Sequence, residues 1–417
     1  QPERALQHYE LALQLKPDYV LALNNHGNTL RKLERFEDAL QSYDAALRYK
    51  TDYAQAHYNR ATVLHKLMCF EAAKDGFEQA LRYQPNYPDA WCNRGLALQM
   101  LECFEEALTS YERALQQAPR HAASYCNRGS VLRKLLRYEE ALRSYDVALE
   151  ISPTLADAHL FRANTLRALL RTEEAIASYR RALECGADAV QVHYALAALG
   201  AESAPAASPA EYVKNLFDRY AENFDHHLLD VLRYRTPELL LAALGSHMAP
   251  RIDSISGVCD TVDLGCGTGL CGPLLRHFSR TMVGVDLSPR MLEKARQRGV
   301  YDRLECADIV QFLQSQADCY SLAVAADVLV YIGDLIPLFQ ALRGALRNGG
   351  VCAFSVEEHR GAEFVLRASH RYAHSADYLK KIAAQFDFVI EKLERQVPRY
   401  DEGVAITGFL VVMACCK

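Results

Sequence analysis

Closely spaced glycines and recurring acidic residues in the second half of this 417-residue chain are suited to binding a polar, nucleotide-like ligand. Gly265, Gly267 and Gly269 follow the apolar run 258–264, and the segment 270–278 after them is amphipathic. Glycines allow backbone N–H groups to approach a ligand, and a helix that begins there directs its positive dipole end toward the ligand. The sequence therefore predicts a strand, a tight turn and a helix that hold part of a cofactor.

Four aspartates end successive apolar segments, at Asp263, Asp286, Asp308 and Asp327. Such a rhythm is typical of consecutive βα units, whose strand ends meet at one edge of a parallel sheet. Asp286, after the second predicted strand, is placed to accept hydrogen bonds from both ribose hydroxyls. The alternative is that each aspartate is an ordinary helix N-cap. The four carboxylates together with the glycine turn favour a cofactor site.

The order of these residues resembles a known family. Asp263 followed by Gly265, Gly267 and Gly269 resembles motif I of the class I S-adenosylmethionine-dependent methyltransferases, and 286–292 resembles the segment after the second strand of that family. In the family, the acidic residue and the glycine turn hold the amino-acid half of the cofactor. The resemblance implies that S-adenosylmethionine is the cofactor.

Further segments extend the resemblance along the second half of the chain. The stretch 327–332 resembles motif IV, at the rim where the methyl group is presented, and the helix that contains Tyr220 resembles a lead-in helix that covers the cofactor. Asp308 corresponds to the residue that faces the adenine amino group. The resemblance implies these cofactor-binding residues: Asp263, Gly265, Cys266, Gly267, Gly269, Asp286, Leu287, Met291, Ala307, Asp308, Ile309, Asp327 and Tyr220.

A dinucleotide is the alternative cofactor, because Gly267, Gly269 and Gly272 also satisfy the dinucleotide-binding pattern. A nicotinamide enzyme needs a separate substrate domain, and the sequence after Gly350 leaves no room for one. The segment 408–413 is instead expected to be a final strand that inserts antiparallel, as in a methyltransferase sheet. An oxidoreductase is therefore the less favoured interpretation.

The polar segment 369–375, after the fifth predicted strand, is the candidate acceptor loop. Its side chains could bind a carboxylate or deprotonate an acceptor, and the alternative is a helix cap with exposed polar residues. No metal site is predicted, and methyl transfer needs none because the sulfonium carries the driving force. The candidate catalytic residues are His374, Tyr372 and Tyr331, and the candidate substrate-binding residues of this segment are His370 and Arg371.

The first half of the chain repeats every 34 residues. The sequence predicts five complete helix–turn–helix repeats, a preceding half and a trailing helix near 190–199, and this pattern resembles the tetratricopeptide repeat (TPR). Small residues form one column of the repeat: Gly27, Ala61, Gly95, Gly129 and Ala163. Aromatic residues form another: Tyr43, Phe77, Tyr111, Tyr145 and Tyr179.

An asparagine column on the first helix of each repeat is the candidate ligand site of this half. It resembles the asparagine ladder of the O-GlcNAc transferase repeats, which holds an extended peptide by its backbone, and it ends where Phe161 replaces Asn. The alternative is a solvated face inherited by duplication. The column consists of Asn25, Asn59, Asn93 and Asn127. Nearby residues would make the groove basic: Arg31, Lys32, His65, Lys66, Arg133, Lys134 and Arg167.

Composition sets the wider limits. Half of the residues are hydrophobic, the net charge is −5, and the thirteen cysteines follow no paired spacing. These features indicate reduced thiols and a cytoplasmic protein with no expected nucleic-acid or membrane partner. The native start is expected upstream of Gln1. The predicted domains are a TPR superhelix at 1–200, a linker at 201–210, a helical lead-in at 211–257 and a methyltransferase domain at 258–417.

We therefore predict a multidomain fold, an all-α TPR solenoid followed by an α/β Rossmann-like class I methyltransferase domain. The leading functional hypothesis is an S-adenosylmethionine-dependent methyltransferase whose TPR arm recruits a polypeptide substrate or a carrier protein. The alternative is a TPR scaffold whose Rossmann-like domain binds a cofactor without catalysis.

Overall fold

The computed structural model describes residues 2–222, 224–252, 259–401 and 404–416. It consists of two compact units, Gln1–Asp188 and Ala189–Lys417. The described part of the first unit is built of helices that pair in sequence order. They are α1 (Pro2–Leu15), α2 (Val20–Lys32), α3 (Phe36–Tyr49), α4 (Ala54–Lys66), α5 (Phe70–Tyr83), α6 (Pro88–Met100), α7 (Phe104–Gln117), α8 (Ala122–Lys134), α9 (Tyr138–Ile151), α10 (Ala156–Ala168) and α11 (Thr172–Glu184).

The small and aromatic columns of the sequence explain how the two helices of a repeat pack. A Cβ atom on Gly27 would lie 2.7 Å from the Tyr43 ring, and one on Gly95 would lie 2.6 Å from the Tyr111 ring. Both tyrosines are completely buried. The small residue on the first helix therefore makes room for the aromatic ring of the second, which confirms the solenoid of helix pairs.

Each turn between paired helices contains a non-glycine residue in the left-handed conformation, which the sequence did not predict. In the first repeat Glu34 has a φ of 58°, and the N–H of Arg35 donates to the carbonyl of Leu30 at 3.0 Å. This is the Schellman arrangement, in which a left-handed residue ends a helix. The equivalent left-handed residues in the other repeats are Met68, Glu102, Leu136 and Leu170.

The second unit is an α/β domain. Its helices are α12 (Ala189–Ala198), α13 (Ala210–Tyr220), α14 (Phe224–His226), α15 (Thr236–Ile252), α16 (Gly272–Leu275), α17 (Pro289–Arg298), α18 (Ile309–Gln314), α19 (Ile336–Ala345) and α20 (Ala376–Gln385). Its strands are β1 (Cys259–Leu264), β2 (Ser279–Asp286), β3 (Arg303–Cys306), β4 (Tyr320–Ala325), β5 (Leu346–Glu358), β6 (Phe364–Leu366), β7 (Tyr372–His374), β8 (Phe388–Asp401) and β9 (Val404–Cys415).

The described strands form one sheet whose main order is β3-β2-β1-β4-β5-β9-β8. The first five are parallel, and β9 lies antiparallel between β5 and β8. The predicted Rossmann-like sheet and its antiparallel final strand are therefore confirmed. A short β6–β7 hairpin pairs with the carboxyl end of β5, and the sequence did not predict it. Residue 258, in the predicted first strand, lies outside the described residues.

The boundary between the units lies at residue 188, not at the predicted residue 200. Helix α12 belongs to the second unit because Tyr194 packs in an apolar cluster with Leu366 and Tyr372. The predicted linker 201–210 is also part of this unit. The carbonyl oxygen of Ala206 accepts hydrogen bonds from the loop after β4 at 2.8 Å. The low-complexity composition of the segment did not predict this attachment.

Candidate active site

The glycine-rich turn connects β1 to α16 in a conformation that requires glycine. Gly265, Gly267 and Gly269 have φ angles of 66°, 55° and 87°, in the left-handed region. A Cβ atom on Gly265 would lie 2.2 Å from a methyl carbon of Val328. The N–H of Gly265 donates to the carbonyl of Val285 at 2.7 Å, which attaches the turn to β2.

The helix after the turn is shorter than predicted. Helix α16 has four residues and a 3₁₀ turn follows at Arg276–Phe278, in place of one helix over 270–278. A single helical turn aligns few peptide dipoles, so the predicted dipole contribution to ligand binding is smaller than a helix over 270–278 would give. What the turn offers is the N–H of Gly267, which donates to Asp286 at 2.9 Å.

Asp263 and Asp286 follow the predicted strand ends and line one cavity. The Tyr301 hydroxyl donates to Asp263 at 2.7 Å, and burial raises the pKa of Asp263 to about 7 against the opposing effect of this hydrogen bond. Asp286 accepts from the N–H groups of Gly267 and Ser288 at 2.9 and 2.8 Å, and burial raises its pKa as well. A carboxylate has about four acceptor sites, so both aspartates can bind further donors.

Asp308 has the capping role that the sequence left open as an alternative. Its Oδ1 accepts from the N–H groups of Val310 and Gln311 at 2.9 and 3.0 Å, at the start of α18. Asp308 also lines the cavity, together with Leu287 and Ile309. Capping and ligand binding are compatible, because both described hydrogen bonds use one oxygen.

Four of the expected cofactor residues do not line the cavity wall, although Cys266 does. Met291 is completely buried in α17, and Ala307 packs on the core of the sheet. A Cβ atom on Gly269 would lie 2.9 Å from the Tyr301 ring, so this glycine allows close packing. Tyr220 ends α13 and is 41% exposed. All four positions lie outside the cavity wall.

The cavity encloses about 1140 Å³ when the open solvent at its mouth is included. Its wall opposite the strand ends comes from α13 and the residues after it. The rings of Phe217 and Phe224 lie 5.8 Å apart, and Phe217 also makes an edge contact with Tyr331 at 5.5 Å. This part of the cavity is therefore aromatic, and the sequence analysis identified only Tyr331.

Polar contacts attach that wall to the glycine turn and to both ends of α17. Asp218 accepts a hydrogen bond from the hydroxyl of Ser288, which also caps α17. Asp225 accepts from the hydroxyl of Thr268 in the glycine turn and forms an ion pair with Arg298. The segment after the repeats thus covers the strand ends.

A network of charged groups reaches the cavity wall through Asp327 and Arg371. Asp327, with a φ of 58°, accepts from Arg371 at 3.2 Å and from Arg399 at 2.7 Å. Glu357 accepts from Arg399 at 2.5 Å and from Arg367 at 3.0 Å, and lies 3.7 Å from Arg371. Asp327 was predicted to bind the cofactor, but the structure places it between two guanidinium groups.

Arg399 is the member of this charged network that the sequence analysis missed. It lies on β8, 72 residues after Asp327, and its side chain is almost completely buried. No motif surrounds it, and its position depends on β9 pairing with both β5 and β8. Only knowledge of the strand order could have identified it.

The predicted catalytic residues His374 and Tyr372 do not reach the cavity. Both are completely buried in β7, because this strand is covered by β5 on one side and β6 on the other. The His374 Nε2–H donates to the carbonyl of Gly333 at 3.0 Å, and the Tyr372 hydroxyl donates to the carbonyl of Pro205 at 2.7 Å. Burial lowers the pKa of His374 to about 4. These contacts give both residues a structural role instead of the predicted one.

The other two candidate residues of the acceptor segment differ in whether they line the cavity. His370 lies outside the cavity wall, where its ring nitrogen contacts the Tyr212 hydroxyl at 3.0 Å. Arg371 lines the cavity and donates to the Tyr331 hydroxyl at 3.2 Å. Of the candidate acceptor residues, the structure brings Arg371 and Tyr331 together at the cavity.

The asparagine column makes contacts between successive repeats. The Asn59 amide donates to the Asn24 side chain at 2.9 Å, and the Asn93 amide donates to the Tyr58 hydroxyl at 3.0 Å. Asn127 makes the equivalent contact with a cysteine sulfur of the preceding repeat. Asn25, in the first repeat, is half-buried. The recurrence of asparagine therefore has a packing reason. One amide hydrogen of each of these three side chains already takes part in a contact with the preceding repeat.

Family models match both halves of the chain. A methyltransferase domain model matches residues 262–352, a tetratricopeptide repeat model matches 86–154, and a TPR repeat model matches 27–67. The chain therefore combines tetratricopeptide repeats with a methyltransferase domain. The methyltransferase match begins in β1 and ends in β5, so it contains the glycine turn and all four aspartates of the strand ends.

Individual relatives match the methyltransferase half. The chain is 32% identical over 126 residues to trans-aconitate 2-methyltransferase of Delftia acidovorans, covering 30% of this chain and 45% of that protein. It is 29% identical over 147 residues to malonyl-(acyl-carrier protein) O-methyltransferase of Acetivibrio thermocellus, covering 34% and 48%. The chain thus spans about half the length of these relatives.

Among solved structures, the crystal structure of YrrB, described as a TPR protein with an unusual peptide-binding site, is 26% identical. The match covers 44% of this chain and 95% of that one, with a TM-score of 0.38. Within the described residues, no helix has the length and apolar character needed to span a membrane. Those residues also contain no group of three His, Cys, Asp or Glu side chains suited to a metal ion.

Proposed function

We propose that the protein is an S-adenosylmethionine-dependent methyltransferase. The observation that carries the proposal is that Asp263, Asp286 and Asp308 line one cavity beside the glycine turn of a methyltransferase domain. Three separated carboxylates suit a cofactor that presents an ammonium group, two ribose hydroxyls and an amino group on its base. The residues present therefore fit this cofactor.

Each carboxylate has a role in this proposal. Asp263 accepts from the ammonium group, Asp286 from the ribose hydroxyls and Asp308 from the adenine amino group, while Leu287 and Ile309 contact the base. The cofactor supplies an electrophilic methyl group on a sulfonium. The protein aligns the acceptor with it and excludes water, and these effects account for much of the catalysis in such a reaction.

Calorimetric titration of the purified chain tests the proposal. We expect S-adenosylmethionine and its demethylated product to bind with a stoichiometry of one and NAD to show no binding. Turnover in a lysate with a radiolabelled methyl group then separates an enzyme from a scaffold. Cofactor binding without any transferred label would favour the scaffold, and selective binding of NAD would contradict the assignment of the site.

We also propose that the TPR unit binds a polypeptide, either the substrate or a carrier protein that bears it. Two observations support this: three asparagines of the column are each followed seven residues later by an exposed lysine, and a relative is named for a substrate attached to an acyl-carrier protein. The exposed lysines Lys32, Lys66 and Lys134 recur on the repeats and favour an acidic partner. A tethered binding unit raises the local concentration of the acceptor without new contacts at the reacting atoms.

A further inference from the structure

Arg371 is the cationic side chain among the described residues that line the cavity. Its hydrogen bonds to Asp327 and Tyr331, both at 3.2 Å, use one hydrogen on each terminal nitrogen. The guanidinium also lies over the Tyr331 ring, 5.5 Å from its centroid. Because a guanidinium has five N–H donors, it can hold this orientation and still donate to a ligand.

The charges behind Arg371 leave a positive excess. Three guanidiniums, of Arg367, Arg371 and Arg399, contact only two carboxylates, of Asp327 and Glu357. At their usual ionisation these five groups carry a formal charge of +1. The Arg367 side chain is 39% exposed, so solvent screens part of this excess. An anionic ligand at Arg371 would balance the formal charge of the cluster.

The cavity wall also contains no group placed to take a proton from an acceptor. Its described lining has no histidine or lysine, and burial raises the pKa values of Cys266, Cys271 and Tyr331. Asp327 is held by two guanidiniums, and the other three aspartates are those proposed to bind the cofactor. A neutral hydroxyl or a protonated amine requires a general base, whereas a carboxylic acid is already ionised at neutral pH.

We propose that the acceptor is a carboxylate that binds Arg371 and that the product is a methyl ester. The inference rests on the proposed methyltransferase function. A lone pair of the carboxylate oxygen forms the new bond to the methyl carbon. The carbon–sulfur bond breaks, and its electron pair stays on sulfur, which becomes a neutral thioether. No proton is transferred, so the absence of a base from the described wall is consistent with the step. The aromatic wall of Phe217 and Phe224 would hold the apolar part of the acceptor.

The chemical stability of the product tests this inference. The full chain is incubated with a lysate and methyl-labelled S-adenosylmethionine, and the products are treated with mild alkali. A methyl ester releases volatile labelled methanol, whereas methyl ethers and methylamines retain the label. Alkali-labile label is the expected result. Alkali-stable transfer would overturn the carboxylate acceptor and leave the proposed methyltransferase function intact.

Substitutions at Arg371 test whether this residue is needed to form the alkali-labile product. Arg371→Gln should lower the yield of alkali-labile label about tenfold to a hundredfold by removing a charge-assisted contact, and Arg371→Lys should restore part of it. Arg395→Gln is the matched control, because Arg395 forms an ion pair with Glu358 outside the cavity wall. Equal loss in the control and in Arg371→Gln would contradict the assignment.

A binding measurement tests the inference without turnover. Saturation-transfer NMR with the chain and S-adenosylhomocysteine compares benzoate with its neutral counterpart benzamide. We expect benzoate to bind the wild-type chain and to bind Arg371→Gln at least several-fold more weakly, with no such change for benzamide. Equal effects on the two probes, or no effect on benzoate, would overturn the role of Arg371. Failure of S-adenosylhomocysteine to bind would instead contradict the proposed function.

Discussion

The pH dependence of cofactor binding follows from the surroundings of Asp263. Burial raises the pKa of this carboxyl to about 7, and only its ionised form attracts an ammonium group. The ammonium group of the free amino-acid part stays protonated between pH 5 and pH 8, so the ionised fraction of Asp263 sets the trend. This fraction is about 0.8 at pH 7.5 and about 0.1 at pH 6, so affinity should fall about eightfold between them. Below pH 6 it should fall about tenfold for each pH unit.

The assay is calorimetric titration with S-adenosylhomocysteine between pH 5 and pH 8. Methylthioadenosine, which lacks the amino-acid part, is the matched control and should show a much flatter dependence. Asp263→Asn should flatten the profile for the full ligand. An equal slope for the two ligands would refute the role of Asp263.

A second prediction concerns Tyr301, whose hydrogen bond affects the pKa of Asp263. The Tyr301 hydroxyl donates to Asp263 at 2.7 Å and lowers its pKa. Tyr301→Phe keeps the ring and removes this hydrogen bond, so the midpoint of the pH profile should move upward by about one unit. A midpoint that stays in place would show that the hydrogen bond does not control the charge.

Three further outcomes are expected. Asp286→Ala should weaken cofactor binding about tenfold to a hundredfold by calorimetry, because hydrogen bonds to a charged group are lost; unchanged affinity in a folded variant would contradict the ribose assignment. His374 is buried with a pKa of about 4, below its unfolded value of about 6.5. The stability that it contributes is therefore present above pH 6.5 and is lost as the pH falls toward 4. This loss in the free energy of unfolding, about 3 kcal/mol by denaturant titration, should be smaller in His374→Gln. Replacing Lys32, Lys66 and Lys134 by Glu should raise KM for the full polypeptide substrate and leave the rate on a small acceptor fragment unchanged; equal KM values would show that this face does not recruit it.

Patterns that depend on local packing could be predicted from the sequence. The 34-residue period fixes the helix pairs because each small residue, such as Gly95, must face a large ring, such as Tyr111. The glycine turn was predictable for a similar reason, since Gly265 has both a positive φ and a close neighbour. Such requirements involve adjacent elements and leave a strong signal in the residue types.

The positions of polar side chains on the β6–β7 hairpin could not be predicted. His374 and Tyr372 stand in a polar stretch that is typical of an exposed loop, yet β7 pairs on both sides and buries them. The His374 Nε2–H and the Tyr372 hydroxyl donate to the carbonyl groups of Gly333 and Pro205, which come from distant segments. Burial of a polar residue depends on such remote partners, and a sequence pattern does not contain them.

The same limit applies to the aspartates, which look equivalent in the sequence. In the structure, the four aspartates differ in their hydrogen-bond partners. Asp263, Asp286 and Asp308 accept hydrogen bonds from neutral N–H or O–H groups and keep acceptor capacity for a ligand. Asp327 is held by Arg371 and Arg399, so it orients a cation instead of attracting one. One end of the cavity therefore favours positive and hydroxyl groups and the other favours an anion, and this polarity is the basis for assigning the cofactor to the first end and a carboxylate acceptor to the second.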